Sequence, residues 1–272
     1  MSAVELLSCR GISKYFLETK TLADNGIDLT LEGGEIRAIV GENGAGKSTF
    51  GRIVAGIIKP DSGEIRVRGR LFESGSVRAA EEVGIGFVPQ VSLLAEDLSI
   101  AENLLLGREP RALGLFVSRR KAYVEAALLI ERFALRIDPD SRVSSITAAE
   151  RRQVEIARAI ARGGNILILD EPTSILSEPE SRRIFELLER LAHEGKSIIL
   201  ITHRLGEVMR VADTITVLRR GEVVADRRVE NTTENELSAL MARLREEKPK
   251  PSLPSHVKEI KKRKKDPVFE LR

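Results

Sequence analysis

The sequence predicts an α/β fold in which helices pack on a mainly parallel sheet. Short apolar segments of strand length recur along the chain, and segments with the spacing of amphipathic helices separate them. Strands that alternate with helices are joined by crossovers, which make the sheet parallel. A glycine-rich loop also joins an apolar strand, ending at Val40, to a helix that begins near Lys47. With 272 residues, the chain can form one large domain with an accessory lobe.

The predicted elements follow in order along the chain. Strands are predicted where apolar residues alternate or form a short run, and helices where they recur at helical spacing. A hairpin is predicted at residues 214–225, with its turn at Arg220 and Gly221. The other predicted strands are residues 27–31, 35–40, 64–67, 84–88, 166–169 and 197–201, and the predicted helices are residues 47–56, 148–161, 181–194 and 205–211.

Residues 92–145 differ from the rest of the chain. Apolar residues have helical spacing at residues 98–106 and again at 119–135, and strand candidates are lacking there. We therefore expect a helical lobe inserted into the α/β core at about residues 92–145.

Composition narrows the class of protein. Cys9 is the single cysteine, so an internal disulfide is excluded and a reducing, cytosolic setting is expected. The N-terminus lacks the charged and apolar regions of a signal peptide, and no apolar run approaches the roughly 20 residues that cross a bilayer. A function at a membrane would therefore need another chain to supply the membrane spans.

The basic residues are concentrated in a tail. The isoelectric point is near 9.0, but residues 246–266 hold eight Lys or Arg and four Asp or Glu, which leaves the rest nearly neutral. This distribution argues against the broad basic face of a duplex-binding domain. Prolines and the KKRKK run of this tail are typical of a solvated linker, and contact with anionic lipid or nucleic acid is the alternative.

The last residues predict a further domain. Residues 267–272 look like the start of a strand and are similar to residues 4–10, where a short apolar strand also ends in Arg. We therefore expect one domain at residues 1–245, a linker at 246–266 and the start of a second copy of the domain at 267–272.

The glycine-rich loop predicts a site for a nucleoside triphosphate. It fits the pattern G-x-x-x-x-G-K-[ST] between a strand and a helix. Glycines let backbone N–H groups surround phosphate oxygens at a helix N-terminus, where the helix dipole favours anions. Lys47 can reach the β- and γ-phosphates, and Ser48 can place its hydroxyl on Mg²⁺. The loop comprises Gly41, Glu42, Asn43, Gly44, Ala45, Gly46, Lys47, Ser48 and Thr49.

Two acids follow the predicted strand at residues 166–169. Asp170 is placed to hold Mg²⁺, and Glu171 is placed to polarise an attacking water. Two acids at a strand end are common in proteins without this function. Together with an upstream phosphate loop, however, they favour the catalytic interpretation.

Three further residues have a bland interpretation when each is taken alone. Gln90 follows the strand at residues 84–88 and would be a loop residue. His203 follows the strand at residues 197–201 and would be a surface histidine. Phe16 lies in an early loop and would be a core aromatic.

Taken in order, these features resemble the nucleotide-binding domain of ATP-binding cassette (ABC) transporters over about residues 4–240. The resemblance implies a P-loop NTPase fold of the RecA-like type, with an antiparallel β subdomain and an inserted helical lobe. It implies that Phe16 stacks on adenine and that Gln90 is the Q-loop glutamine, which holds Mg²⁺ together with Ser48 and Asp170. It also makes Glu171 the catalytic glutamate and His203 the switch histidine.

The signature segment departs from the common LSGGQ form of this family. At residues 146–150 it reads Ile-Thr-Ala-Ala-Glu, so Thr147 keeps a hydroxyl, while Ala149 replaces a glycine and Glu150 replaces the glutamine. Thr147 and Glu150 also have the spacing of a helix capping box, which does not exclude the signature role. By resemblance, Thr147 and Ala149 face the ATP that a partner domain holds. A carboxylate there opposes bound ATP, so we expect a weaker site on that side.

Two subfamilies share further segments with this chain. Residues 99–110 are similar to ATPases of simple-sugar importers, and residues 136–140, 207–209 and 217–221 to those of nucleoside importers. The resemblance implies an ATPase that uses ATP and Mg²⁺ on the cytoplasmic side of the inner membrane. Its expected partners are a second cassette (fused in the same chain or in a homodimer), transmembrane permease subunits and, indirectly, a periplasmic or extracellular solute-binding protein. No nucleic acid is expected.

Two other functions fit the sequence less well than import. A non-transport cassette protein that acts on ribosomes or nucleic acid would need a basic face or an inserted module, which the nearly neutral body lacks. A phosphate-loop kinase or small GTPase fits poorly because a guanine-reading [NT]KxD segment is absent from the sequence. We therefore expect ATP hydrolysis that powers a membrane importer.

Overall fold

The computed structural model of the chain describes residues 5–16, 19–112 and 116–242. The predicted linker at 246–266 and the predicted domain start at 267–272 lie outside these residues. The strands are β1 (Glu5–Phe16), β2 (Thr19–Glu32), β3 (Ile36–Val40), β4 (Ser62–Val67), β5 (Arg70–Phe72), β6 (Ile85–Val88), β7 (Arg111–Ala112), β8 (Phe116–Val117), β9 (Ile166–Asp170), β10 (Ser197–Ile201), β11 (Thr214–Arg219) and β12 (Glu222–Arg228). The helices are α1 (Lys47–Val54), α2 (Val77–Glu82), α3 (Ile100–Leu105), α4 (Arg119–Arg132), α5 (Ala148–Ala161), α6 (Glu178–His193), α7 (Leu205–Val211) and α8 (Glu234–Ala242).

A six-stranded sheet forms the centre of the fold. Its strand order is β12-β11-β3-β10-β9-β6, with β12 as an antiparallel edge next to five parallel strands. Alternate residues of β9 enter different hydrophobic clusters. Ile168 packs in a cluster with Phe50 of α1, and Leu167 packs in a cluster with Ile184 of α6. Both faces of β9 are therefore buried, and the predicted mainly parallel sheet is confirmed.

The register of this sheet aligns the carboxyl ends of its central strands. Ile201, the last residue of β10, lies opposite Ile39 of β3 on one side and opposite Asp170 of β9 on the other. The segments that leave these three strands therefore start at one edge of the sheet.

A second, antiparallel sheet has the order β2-β1-β4-β5 and confirms the predicted antiparallel subdomain. Its strand β1 continues to Phe16, which pairs with Thr19 of β2. The prediction that Phe16 lies in a loop was therefore wrong. A register shift between Cys9 and Ile12 interrupts the alternation of side chains, so the sequence pattern ends before the strand does.

The predicted helical lobe contains α3 and α4. Ile100 of α3 and Ala126 of α4 share a hydrophobic cluster with Val154 of α5, so the lobe packs on the helix that follows it. The prediction that this region lacks strands was wrong, because β7 pairs with β8. Strands of two residues are too short to leave a periodic signal. Within residues 5–16, 19–112 and 116–242, no helix is both long and apolar enough to cross a bilayer.

Several elements were missed or shifted in the sequence prediction. Helices α2 and α8 and strand β5 are short and were not predicted. Helix α6 begins at Glu178 rather than at residue 181, because Ser177 and Glu180 form a capping box ahead of the apolar face. Pro179 is tolerated there, since the first N–H groups of a helix have no partner within it.

Candidate functional site

Three loops meet at the carboxyl edge of the parallel sheet. The glycine-rich loop leaves β3, Glu171 follows β9, and His203 follows β10. Together with Gln90, which follows β6, they line a cleft of about 370 Å³. The lining comprises Asn43, Gly44, Ala45, Gly46, Lys47, Ser48, Thr49, Gln90, Glu171 and His203.

Glycines are needed in this loop for two different reasons. A methyl group added at Gly41 would lie 2.1 Å from the carbonyl oxygen of Leu218 in β11, a distance that no side chain tolerates. Gly46 has a φ of 99°, in the left-handed region, and directly precedes α1. The loop therefore turns tightly from β3 into the N-terminus of α1, where backbone N–H groups are free to bind an anion.

The Lys47 side chain lies across this loop. Its Nζ donates hydrogen bonds to the carbonyl oxygens of Gly41 at 2.7 Å and Glu42 at 2.9 Å. Burial lowers the pKa of Lys47, whereas the negative charges of Glu171 and Asp170 act in the opposite direction. The ammonium group is thus held close to the mouth of α1 by backbone carbonyls.

Ser48 and Asp170 join α1 to the end of β9. Ser48 Oγ donates a hydrogen bond of 2.8 Å to Oδ1 of Asp170. Asp170 is fully buried, and its Oδ2 has no hydrogen-bond partner among the described residues. Burial raises the pKa of Asp170, although the hydrogen bond from Ser48 lowers it. An unpartnered carboxylate oxygen beside a hydroxyl fits Mg²⁺, which prefers oxygen ligands.

The carboxylate of Glu171 lies between two polar side chains. Its Oε2 accepts a hydrogen bond of 3.2 Å from Nε2 of Gln90, and its Oε1 lies 3.0 Å from Nδ1 of His203. A carboxylate only accepts hydrogen bonds, so Nδ1 carries the proton in the second pair. Glu171 has a positive φ of 47°, and its backbone N–H donates to the carbonyl oxygen of Ile201. Non-glycine residues with this conformation often occur at functional sites.

Other predicted site residues lie outside the lining of this cleft. Gly41 and Glu42 contribute the carbonyls that bind Lys47, and Asp170 contacts Ser48. Phe16, at the end of β1, has 41% of its surface exposed, and Nζ of Lys14 lies 5.6 Å from its ring centroid. Thr147 and Ala149 are at the start of α5, apart from the cleft that this chain itself forms.

The predicted capping box at the start of α5 is present. Oε2 of Glu150 accepts hydrogen bonds from the backbone N–H of Thr147 at 2.8 Å and from its hydroxyl at 2.9 Å. The backbone N–H of Glu150 lies 3.3 Å from Oγ1 of Thr147. The hydroxyl proton of Thr147 is therefore directed at the Glu150 carboxylate, while Ala149 is buried.

Two polar contacts around this site were not predicted from the sequence. Arg152 and Glu155 form a buried ion pair on α5. Thr173 Oγ1 donates a 2.7 Å hydrogen bond to Glu207, which also pairs with Arg204, the residue that follows His203. The ion pair could have been predicted from the sequence, because Arg152 and Glu155 interrupt the apolar face of α5.

Neutralising Asp170 should stabilise the protein in the absence of nucleotide. Its pKa is raised on folding, so the folded state carries a penalty for the charged carboxylate above that pKa and loses the penalty as the pH falls through it. We expect Asp170→Asn to raise the free energy of unfolding at neutral pH by on the order of 1 kcal/mol. Thermal unfolding across pH, without nucleotide, measures this.

The matched control is Asp140→Asn, which changes an exposed aspartate and should leave the unfolding free energy nearly unchanged. The gain from Asp170→Asn should shrink on acidification. A gain that grows as the pH falls, or none at neutral pH, would contradict the assignment.

Solved structures of similar fold are cassettes of ABC transporters. A nucleotide-free ATP-binding cassette from an ABC transporter superposes with a TM-score of 0.76 at 25% identity, covering 87% of this chain and 95% of that one. The structure of an ABC transporter cassette in its ADP conformation gives a TM-score of 0.75 at 25% identity, covering 87% of this chain and 94% of that one. These matches confirm the P-loop NTPase fold that the sequence predicted.

Relatives of this chain include import proteins. A ribose import ATP-binding protein of Rubrobacter xylanophilus is 44% identical over 232 residues, which are 85% of this chain and 46% of that protein. Another from Escherichia coli O157:H7 is 42% identical over 241 residues, 89% of this chain and 47% of that protein. The chain thus spans about half the length of the curated relatives it matches. Residues 25–174 match the model of a protein family that is described as "ABC transporter". The chain therefore belongs to the ABC transporter family.

Proposed function

We propose that this chain binds ATP with Mg²⁺ and hydrolyses the ATP to drive import of a simple sugar. The observation that carries the proposal is the position of Glu171 between Gln90 and His203, at a cleft lined by the Lys47 loop. The relatives described above are named as ribose import proteins, which favours transport over an activity on ribosomes or nucleic acid.

The phosphates would be bound by the loop from Gly41 to Thr49. Its backbone N–H groups lie at the N-terminus of α1, and Lys47 brings a positive charge to the same place. Ser48 and Asp170 would hold Mg²⁺, with Gln90 beside them, and Mg²⁺ neutralises charge on the transferred phosphoryl group. The hydrogen bond between Ser48 and Asp170 keeps both oxygens on one side of the cleft.

Glu171 would act as the general base towards an attacking water. Its carboxylate accepts hydrogen bonds from Gln90 and His203, which fix the direction of both oxygens. His203 is half-exposed, so its second ring nitrogen is free to face a γ-phosphate. Phe16, exposed at the end of β1, would stack on the adenine ring.

The site would be completed by a second cassette. Thr147 and Ala149 lie at the N-terminus of α5 and not in the cleft that the chain forms itself, which supports their action on a nucleotide held by a partner. The partner would be a second cassette in a fused polypeptide, following a linker at residues 246–266, or a second copy of this chain. Permease subunits would span the membrane, with the cassettes on its cytoplasmic side, and a solute-binding protein would deliver the sugar to them.

Replacing Glu171 by Gln tests the proposed base. We expect Glu171→Gln to bind MgATP with nearly native affinity but to hydrolyse it about 10²–10⁴-fold more slowly, because the amide cannot accept the proton of water. Phosphate release at saturating MgATP and equilibrium nucleotide binding measure the two effects.

The matched control is Glu178→Gln, the same change at an exposed residue in the first turn of α6. It should hydrolyse ATP at the native rate. Native hydrolysis by Glu171→Gln would refute the role of Glu171 as the base.

The charge of Glu150 should weaken the contact with a partner's ATP. Glu150→Gln removes this charge but keeps an amide oxygen that can accept the capping hydrogen bonds from Thr147. We expect ATP-driven dimerisation to tighten about 2–5-fold, which corresponds to the roughly 0.3–1 kcal/mol that a charge contributes at a helix N-terminus. Sedimentation with MgATP, in a Glu171→Gln background that blocks hydrolysis, measures it.

Glu102→Gln is the control, because Glu102 occupies the same position of a capping box on α3. It should leave dimerisation unchanged. Equal dimerisation with Glu150 and with Gln at this position, both in the Glu171→Gln background, would contradict the proposed effect of the charge.

A further inference from the structure

The buried face of α5 carries an ion pair among its apolar side chains. Arg152 and Glu155 are 4% and 3% exposed, and Nη1 of Arg152 lies 2.8 Å from Oε2 of Glu155. Burial lowers the pKa of Arg152, while the charges of Glu155 and Asp170 raise it. Replacement of such a pair by apolar residues is often neutral or stabilising, so stability alone is a weak reason for its presence.

The Arg152 guanidinium connects α5 to two loops of the functional site. It donates hydrogen bonds to the carbonyl oxygens of Pro89 at 2.7 Å and Gln90 at 3.0 Å, in the loop after β6. It also donates to the carbonyl oxygen of Pro172 at 3.1 Å, in the loop after β9. Only a guanidinium, with five N–H donors in one plane, can bind three carbonyls and a carboxylate together.

Glu155 adds a second connection to the loop after β6. Its Oε2 binds Arg152, and its Oε1 accepts a hydrogen bond of 3.1 Å from the backbone N–H of Leu93. The ion pair therefore holds this loop at residues 89–90 and again at Leu93. The first five residues of the loop are therefore tied to α5 at both of these places.

Of the three residues whose carbonyl oxygens Arg152 binds, Gln90 and Pro172 lie beside the proposed base, Glu171. Gln90 donates its own side-chain hydrogen bond to Glu171, and Pro172 directly follows Glu171. A shift of α5 thus moves the backbone on both sides of the Gln90–Glu171 hydrogen bond at once.

We propose that Arg152 is a positioning residue, which sets the orientation of Glu171 and Gln90 according to the position of the signature helix α5. The proposal rests on the function proposed above, because that function assigns the carboxylate that is being positioned. The contact of α5 with a partner cassette, which begins at Thr147, would then be transmitted to the chain's own carboxylate over five residues of helix. The hydrogen bonds of Arg152 go to backbone carbonyls and to Glu155, and none goes to the side chain of Glu171 or Gln90.

Arg152→Met tests this inference on the full 272-residue chain. We expect kcat for MgATP to fall by up to about 10²-fold with little change in KM, the pattern of a displaced catalytic group. We also expect faster amide hydrogen exchange in residues 88–93 and 171–176, while residues 41–54 keep native exchange. The matched control is Arg182→Met, which removes an exposed arginine and its pair with Glu178 on α6 and should change neither readout.

Two further variants separate positioning from loss of folding. Arg152→Met combined with Glu155→Gln removes both charges, so it should recover thermal stability but keep the low kcat and the fast exchange of both loops. Arg152→Lys keeps a positive charge for Glu155 but cannot reach all the carbonyls, so its kcat should lie between those of Arg152→Met and the native chain.

Native kcat or native exchange of both loops in the folded double variant would overturn the inference. Faster amide hydrogen exchange throughout the Arg152→Met chain would indicate a general loss of folding. In that case the positioning role of Arg152 is tested on the double variant. The hydrogen exchange of the loops does not depend on hydrolysis. A native chain without ATPase activity would therefore contradict the proposed function. The exchange data would still test whether Arg152 connects α5 to the loops after β6 and β9.

Discussion

In the central sheet, Ile201 of β10 lies between Ile39 of β3 and Asp170 of β9. This register is the constraint on which the functional site depends. It brings the ends of three parallel strands to one level, so the loop after β3, the acids after β9 and His203 after β10 lie within contact distance. A shift of one residue in β9 would turn Asp170 to the opposite face of the sheet and break its contact with Ser48.

Burial makes the charged groups of the site unusually sensitive to their neighbours. Lys47 and Asp170 are both buried, and burial disfavours the charged form of each, lowering the pKa of Lys47 and raising that of Asp170. Backbone carbonyls hold the ammonium group, and the hydroxyl of Ser48 holds the carboxylate. A bound phosphate would neutralise the charge of Lys47, and a divalent cation would neutralise that of Asp170. The protein itself supplies these opposite charges only in part.

The sequence predicted the parts of the fold that carry a local pattern. The buried strands β3, β9 and β10 are short and mainly apolar, with Arg37 as the charged exception in β3, and the residues at their ends were recognised because each follows such a run. It could not predict that β1 extends to Phe16, since the register shift after Cys9 breaks the alternation. The capping box at Thr147 was predictable because it is made within one helical turn.

Contacts between distant segments could not be predicted in the same way. Gln90 and Glu171 are far apart in sequence. Their side chains meet because β6 and β9, the strands that they follow, are neighbours in the sheet. The partners of Arg152 include three backbone carbonyl oxygens. Every residue type has such an oxygen, so these contacts could not be predicted from the sequence. The roles of the site residues, including Phe16, Thr147 and Ala149, depend on a nucleotide or a partner and stay predictions.

Strand alignment brings the oxygens of Ser48 and Asp170 together at the phosphate loop, where we propose that they hold one metal ion. A double-mutant cycle of Ser48→Ala and Asp170→Asn on ATP affinity tests it most directly, with Mg²⁺ and again with a chelator. We expect the two substitutions to be non-additive by about 1 kcal/mol or more with Mg²⁺ and nearly additive without it. Additive losses in the presence of Mg²⁺ would contradict this proposal.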